Sequence, residues 1–328
     1  MIKRIIQLIL LLLILAIFGI FYLSYFGIKT TKFNELIKNE VSKINEKINI
    51  ELQDVKIILN LSDYTIGLKT INSNLIIGNK KIELENITTN FSIGSFINKE
   101  FAVKKLSIST KKNKIKNIID LARIYKNSAE LFIIDKIVKN GNIIADINLN
   151  FDEKGKITKE YDIKGKIFDA NLSLLNKQEI NKINFNFEIK DKTYLLKETS
   201  VEYDRIKLSS KKININSKKK HFLVKGDIKS SETNLKNEIL SFYLKDNVNI
   251  SNFSDIRFGS SNSFSFTINK KFKFSNIKVD SKINLIKLIY KTNDLEIKKY
   301  LPKYNGIVEL NNNDVKVSFD NKKLTIHS

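Results

Sequence analysis

The sequence has no cysteine and no tryptophan, and it has only two histidines and one proline in 328 residues. Without cysteine the chain has no disulfide, no thiolate nucleophile and no cysteine-based zinc site. His221 and His327 offer little imidazole for metal binding or acid–base catalysis. The glycine-rich nucleotide motifs and the Gly-x-Ser-x-Gly motif are also absent, and the carboxylates are scattered. These absences predict a protein that is not an enzyme and that uses no cofactor and no metal.

The chain is strongly basic, with 57 Lys and Arg against 35 Asp and Glu and a net charge of +22. Arginine, the residue best suited to phosphate and base edges, is scarce, while Ile, Lys and Asn are abundant. That bias matches A/T-rich codons, so we expect most lysines on solvated faces. The sequence predicts no nucleic-acid partner. Lysine clusters at 111–114, 211–212 and 218–220 leave contact with anionic lipid headgroups as a functional alternative.

Residues 5–27, IIQLILLLLILAIFGIFYLSYFG, are almost wholly apolar. About 20 such residues cross a bilayer as a helix. Lys3 and Arg4 precede the run, which predicts a cytoplasmic tip at residues 1–4. The run is longer than the apolar part of a signal peptide, and no Ala-x-Ala-like site follows it. The segment is therefore predicted to be an uncleaved anchor. Its representative residues are Ile5, Leu12, Phe18 and Tyr22.

Residues 28–49 are predicted to form an amphipathic linker helix, because apolar residues from Phe33 to Ile48 recur at helical spacing. Such a helix can lie in the membrane interface or pack on the domain that follows. Packing is the interpretation that we favour.

From about residue 50 the apolar period changes from helical to two. In INFNFEI, for example, Phe185 and Phe187 alternate with polar residues. Strict alternation is typical of a half-buried antiparallel strand. The candidate residues of the apolar faces are Ile147, Leu149, Phe151, Phe185, Phe187, Phe222, Val224, Phe264, Phe266 and Phe274.

Three segments, 114–139, 233–245 and 284–301, have helical spacing and are predicted to cover an open side or end of the sheet. The apolar faces of the strands must also be hidden from water. The sheet can pack on a second sheet, close into a barrel, or curl into a trough that holds acyl chains. The residues alone do not choose among these solutions.

Three passages carry a resemblance to a known family. The first is Lys3-Arg4 with the anchor and the amphipathic helix; the second runs from Ile48 to Leu121 and includes the bend SIGSFINKEF; the third is KYLPKYNGIVEL, with Leu301-Pro302 and Gly306. In this order the features resemble the N-terminal region of the AsmA-like family, of YhdP and TamB type.

The resemblance implies a mainly β protein with a few helices. An N-terminal transmembrane helix would precede a long antiparallel, curled and groove-like sheet with covering helices. It implies a single-pass protein of the bacterial inner membrane with a periplasmic β-rich domain at 50–328. The implied role is phospholipid transfer between membranes or envelope biogenesis, without a catalytic residue. Its partners would be membrane lipids and envelope assembly proteins.

Two alternatives remain open. One is a membrane-anchored assembly factor whose closed β-sandwich binds protein. The other is a component of lipopolysaccharide export with an apolar jellyroll. A closed sandwich predicts apolar faces buried against each other, whereas a groove predicts an apolar face that is left open.

Overall fold

A computed structural model describes residues 2–94, 103–125, 128–152, 156–158, 160–174, 178–235, 250–269, 273–292, 295–321 and 323–327. The chain divides into two compact units, Met1–Lys166 and Ile167–Ser328. The range 50–328, predicted as one domain, is therefore shared between two units.

The first unit begins with the apolar helix α1 and, in its described residues, combines further helices with short and medium strands. Its helices are α1 (Ile2–Tyr25), α2 (Asn34–Ile44), α3 (Ile115–Tyr125) and α4 (Ala129–Ile137). Its strands are β1 (Ile28–Thr30), β2 (Ile48–Glu51), β3 (Val55–Asn60), β4 (Thr65–Ile71), β5 (Asn74–Ile77), β6 (Lys80–Ser92), β7 (Val103–Thr110), β8 (Asn113–Lys114) and β9 (Val138–Asn150). Strand β10 (Asp162–Ser173) contains the boundary between the units.

Helix α1 is long enough and apolar enough to cross a membrane, judged by length and composition. None of its most apolar window is buried in the protein. Leu12, Phe18 and Tyr22 of the predicted anchor are exposed on it, and Ile5 lies within it. The helix ends at Tyr25, two residues before the predicted end, because Gly27 turns the chain with a φ of 64°.

Helix α2 is shorter than the predicted linker helix, since β1 precedes it and β2 follows it. It packs against β2, and the Asn34 side chain donates a hydrogen bond to the Gln53 carbonyl oxygen at 2.8 Å. This contact agrees with the packing interpretation of the amphipathic pattern.

The antiparallel pairing in the first unit follows the order β1, β3, β4, β6, β7, β9. The first half of β6 also pairs with β5, which pairs with β2. Ile77, Ile82 and Leu84 form a buried core where these strands meet, and Ile118, Leu121 and Ile124 of α3 pack on it. Helix α3 therefore covers one end of the sheet, as predicted for part of 114–139.

Asp135 of α4 connects this helix to α3. Its carboxylate accepts hydrogen bonds from Lys116 Nζ at 3.1 Å and from Arg123 Nη1 at 2.7 Å. The hydrogen bond from Lys116, together with the charges of Lys116, Arg123 and Lys136, lowers the pKa of Asp135, although desolvation opposes the shift.

The second unit is dominated by an antiparallel meander in which each strand pairs with the next from β11 to β18. Its elements are β11 (Glu179–Lys190), β12 (Thr193–Tyr203), β13 (Ile206–Ser217), β14 (His221–Leu235), β15 (Phe253–Asn269), β16 (Phe274–Lys291), β17 (Ile307–Asp320), β18 (Lys323–His327), the short helix α5 (Leu295–Tyr300) and a 3₁₀ turn at Ile250–Asn252. Among the described residues, β18 pairs only with β17, so the sheet is not closed.

These observations confirm the fold class: a mainly β chain with one N-terminal apolar helix, a long antiparallel, groove-like open sheet and a few covering helices. In 284–301 the helix prediction is wrong up to Lys291, because that stretch belongs to β16, and only Leu295–Tyr300 is helical. In 233–245, residues 233–235 end β14 and the remainder lies outside the described residues.

Candidate functional site

The candidate site is the apolar face of the sheet in the second unit. Residues paired directly across antiparallel strands point to the same side of the sheet, so the register defines rows of side chains. One row crosses all eight strands from β11 to β18. Its members are Phe187, Leu196, Ile213, Gly226, Phe264, Val279, Phe319 and Leu324. Every one of them is apolar.

Further apolar residues flank this row on the same face. The neighbouring row contains Ile189, Tyr194, Ile215, Val224 and Phe266. Beyond it, Phe222 is paired with Ile268, and Ile268 with Phe274. Ring contacts tie the rows together: the Phe264 and Phe266 centroids are 5.8 Å apart, and those of Phe266 and Phe274 are 5.5 Å apart.

The structure thus places seven predicted residues on one face of the second unit. They are Phe185, Phe187, Phe222, Val224, Phe264, Phe266 and Phe274. The other three belong to the first unit. There Ile147 is paired with Ile108 and Leu149 with Leu106, and Phe151 follows in a bridge to Ile157.

In the described part of the second unit, no second layer of strands packs on the apolar face. Val224 is 6 % exposed, but Phe185, Phe187, Phe222, Phe264 and Phe266 are only half-buried, and Phe274 is 60 % exposed. The inner face of a sandwich excludes water from side chains of this kind. Among the described residues, this face is therefore an open apolar surface.

Bulges keep the apolar residues on this face where strict alternation would turn them away. Lys182 in β11 and Glu198 in β12 have positive φ values of 50° and 51°, and the register of the two strands shifts beside them. Each bulge adds one residue to a strand, bends it and exchanges its two faces. As a result, Leu196 and Val201 lie on the same face although they are five positions apart in the chain.

The opposite face is mainly polar, with apolar exceptions such as Leu195 and Leu223, and it carries exposed or partly exposed ion pairs. Lys197 pairs with Glu188 at 2.7 Å, and Lys278 pairs with Asp320 at 2.8 Å. Lys287 bridges Asp255 and Glu309 at 3.1 and 3.5 Å. The hydrogen bond between Asp255 and Lys287 lowers the pKa of Asp255 and raises that of Lys287. Such exposed pairs stabilise the fold little but keep this face hydrated.

A small polar group interrupts the apolar face near its centre, which sequence reasoning missed. The Ser230 and Ser260 hydroxyls are 3.0 Å apart, and Asn262 Nδ2 donates to Ser260 Oγ at 3.0 Å. The cross-strand pairing of Ser230 with Ser260 places both hydroxyls on the same face as Phe264. Only the register reveals this group, since serine is as common on the polar face.

The first unit has a similar two-faced sheet, but part of its apolar face is covered. Val55 and Thr70 are buried, and Ile87 and Ile108 pack against the core beneath α3. The next row is half-buried or exposed and contains Ile28, Ile57, Leu68, Thr89, Leu106 and Leu149.

Comparisons with protein-family models, curated proteins and solved structures gave no match for this chain. In the described part of the chain, no group of three or more His, Asp and Glu side chains could hold a metal ion. The geometry of the two faces is therefore the basis for a functional proposal.

Proposed function

We propose that the chain is a membrane-anchored lipid-handling protein whose open apolar face holds the acyl chains of phospholipids and moves them between membranes. The observation that carries the proposal is the row of eight apolar residues across β11–β18, which are half-buried except for the exposed Leu324 and are backed by a hydrated face.

Dimensions support this proposal. Seven strand spacings of about 4.8 Å make the row about 34 Å long. One leaflet of a bilayer has a hydrocarbon thickness of about 15 Å, half of a core of about 30 Å. An extended acyl chain therefore fits along the row, and each methylene removed from water contributes about 0.8 kcal/mol. The headgroup would stay hydrated at the edge of the face.

In this proposal the protein works without a catalytic residue. Helix α1 would hold it in the bacterial inner membrane with a cytoplasmic N-terminus, and both units would lie in the periplasm. The resemblance to the AsmA-like family supports this placement and a role in envelope biogenesis. The alternative of a closed sandwich is not favoured, because the aromatic residues of the apolar face are only half-buried.

The test is a lipid-transfer assay. The full chain is reconstituted in donor vesicles that contain a self-quenched fluorescent phospholipid, and dequenching in acceptor vesicles is followed. We expect the parent protein to accelerate transfer and Phe264→Asp to abolish the acceleration, because the change puts a charge in the middle of the apolar row.

Ser265→Asp is the matched control. Ser265 is the next residue along β15 and pairs with Lys278 on the polar face, so the same charge is tolerated there. Transfer by Ser265→Asp should equal that of the parent. Unaccelerated transfer by the parent, or equal losses in the two variants, would contradict the proposal.

A further inference from the structure

Three lysines form a row beside the end of the anchor helix. Lys29 of β1 pairs with Lys56 of β3, and Lys56 pairs with Lys69 of β4. The three side chains therefore lie side by side on one face of the sheet. Like charges placed directly opposite each other destabilise a sheet, so this arrangement has a cost in the isolated protein.

No carboxylate in the described part of the first unit, or elsewhere in the described ranges, forms an ion pair with these lysines. On the polar face of the second unit, Lys197, Lys278 and Lys287 have carboxylate partners. Lys282 and Lys316, which are paired with each other on that face, form no ion pair among the described residues. The row thus presents three uncompensated positive charges to its surroundings.

The connection to α1 fixes this row close to the end of the helix. Phe26 and Gly27 donate backbone hydrogen bonds to the Tyr22 carbonyl oxygen, and β1 starts at the next residue. Gly27 is buried, and a Cβ atom there would lie 2.4 Å from the Ile57 carbonyl oxygen. Only glycine therefore fits between the end of α1 and β3. This close approach holds β1 and β3 beside the end of the helix.

Strand β3 runs antiparallel to β1, so beyond Ile57 it returns toward α1, which it contacts. The turn from β3 to β4 exposes Leu61 and Tyr64, which are 41 % and 74 % accessible. Apolar and aromatic side chains next to lysines are the composition of membrane-interface segments. With α1 in a bilayer, the turn would lie at the boundary where Tyr22 and Tyr25 lie.

We propose that the lysine row and the β3–β4 turn form a bilayer-contacting edge that binds the headgroups of anionic phospholipids in the leaflet where α1 ends. Phosphate groups of the bilayer supply the negative charge that the lysine row lacks. Asp63 in the β3–β4 turn accepts a hydrogen bond from the Asn60 amide at 2.9 Å and forms no ion pair with the row. The inference depends on α1 crossing the membrane, but it does not require lipid on the apolar face of the second unit.

The absence of cysteine allows a single-site probe. Leu61→Cys in the full chain is labelled with a nitroxide and placed in nanodiscs of phosphatidylcholine, or of phosphatidylcholine mixed equally with phosphatidylglycerol. Accessibility to oxygen and to a water-soluble nickel complex reports the depth of the label. We expect a deeper label in the anionic bilayer at low salt. The difference should vanish at 1 M salt, where the screening length is about 3 Å.

The matched variants each remove three lysines. Lys29→Gln, Lys56→Gln and Lys69→Gln together should abolish the response to phosphatidylglycerol. Lys298→Gln, Lys299→Gln and Lys303→Gln, which remove three exposed lysines in and just after α5 of the second unit, should leave it intact. The same label depth in both bilayers at low salt, or an undiminished response in the first triple variant, would overturn the proposal. If the variant that lacks Lys29, Lys56 and Lys69 does not fold, the salt dependence of the label depth in the parent protein tests the proposal instead. Failure of lipid transfer alone would leave this inference standing.

Discussion

At the scale of single residues, Gly226 shows how tightly the apolar row is built. A Cβ atom on Gly226 would lie 3.0 Å from Ile213 Cγ1 and 3.1 Å from both the Lys212 carbonyl oxygen and Phe264 Cζ. Side chains from both neighbouring strands therefore close over the glycine. The row is continuous at this position because its neighbours fill the space that glycine leaves.

We expect Gly226→Ala to lower the free energy of unfolding by about 1 kcal/mol, because overpacking forces the backbone or the neighbouring side chains to move. Gly259 is the matched control in β15, since a Cβ there would meet nothing nearer than the Ser230 carbonyl oxygen at 3.8 Å. Gly259→Ala should be neutral or stabilising by about 0.5 kcal/mol through the unfolded state. Thermal unfolding of the full chain in nanodiscs would measure both, and equal shifts would contradict this account of Gly226.

Alternation in the sequence predicted much of the residue-level pattern. The seven candidates of the second unit lie on one face because each belongs to a short run with an unbroken period of two. Their role as lipid contacts stays a prediction. The grouping of Ser230 with Ser260 could not be predicted, because it depends on the register between β14 and β15.

At the scale of secondary-structure elements, a bulge explains why the helix prediction for residues 284–291 is wrong. Phe258 pairs with Leu285 and Arg257 with Lys287, which leaves Ile286 as an extra residue in β16. The bulge places Leu285 and Leu288 on one face at a spacing of three. A spacing of three is also the mark of a helix, so residues 284–291 were predicted as helical. Lysine and glutamate have no preference for a positive φ, so the residue types at Lys182 and Glu198 do not reveal the bulges.

The Asp135 cluster gives a prediction for the pair α3 and α4. Asp135→Asn should lower stability by about 1 kcal/mol, because Lys116 and Arg123 lose a charged hydrogen-bond partner. The pKa of Asp135 is lowered in the folded state, so its stabilisation is present above the unfolded pKa near 3.8 and is lost as pH falls through the folded value. The difference in Tm between parent and variant should therefore be full at pH 7 and shrink in strong acid, below the unfolded pKa.

Asp320→Asn provides the comparison for this pair of helices. The Lys278–Asp320 pair is more than half exposed on both sides, so its loss should change Tm little. A Tm shift as large as that of Asp135→Asn, or a difference that persists unchanged into strong acid, would refute the role given to Asp135.

At the scale of the whole molecule, each unit presents a sheet with one apolar and one polar face. The sequence predicted the anchor helix, the antiparallel strands and the helical cover at 114–139, because each follows from a local period. It could not separate an open sheet from a sandwich, because that depends on what lies above the face. The half-buried aromatic residues of the second unit indicate an open sheet.

Photo-crosslinking tests most directly whether lipid occupies this apolar face. Benzoyl-phenylalanine is incorporated in the full chain at Phe264 or at Ser265, and cells of a Gram-negative host labelled with radioactive phosphate are irradiated. Our account predicts a radiolabelled lipid adduct from position 264 and none from position 265, since the two side chains point to opposite faces. Mass spectrometry of the adduct would distinguish phospholipid from lipopolysaccharide. An adduct with protein alone at position 264, or equal lipid labelling at both positions, would contradict it.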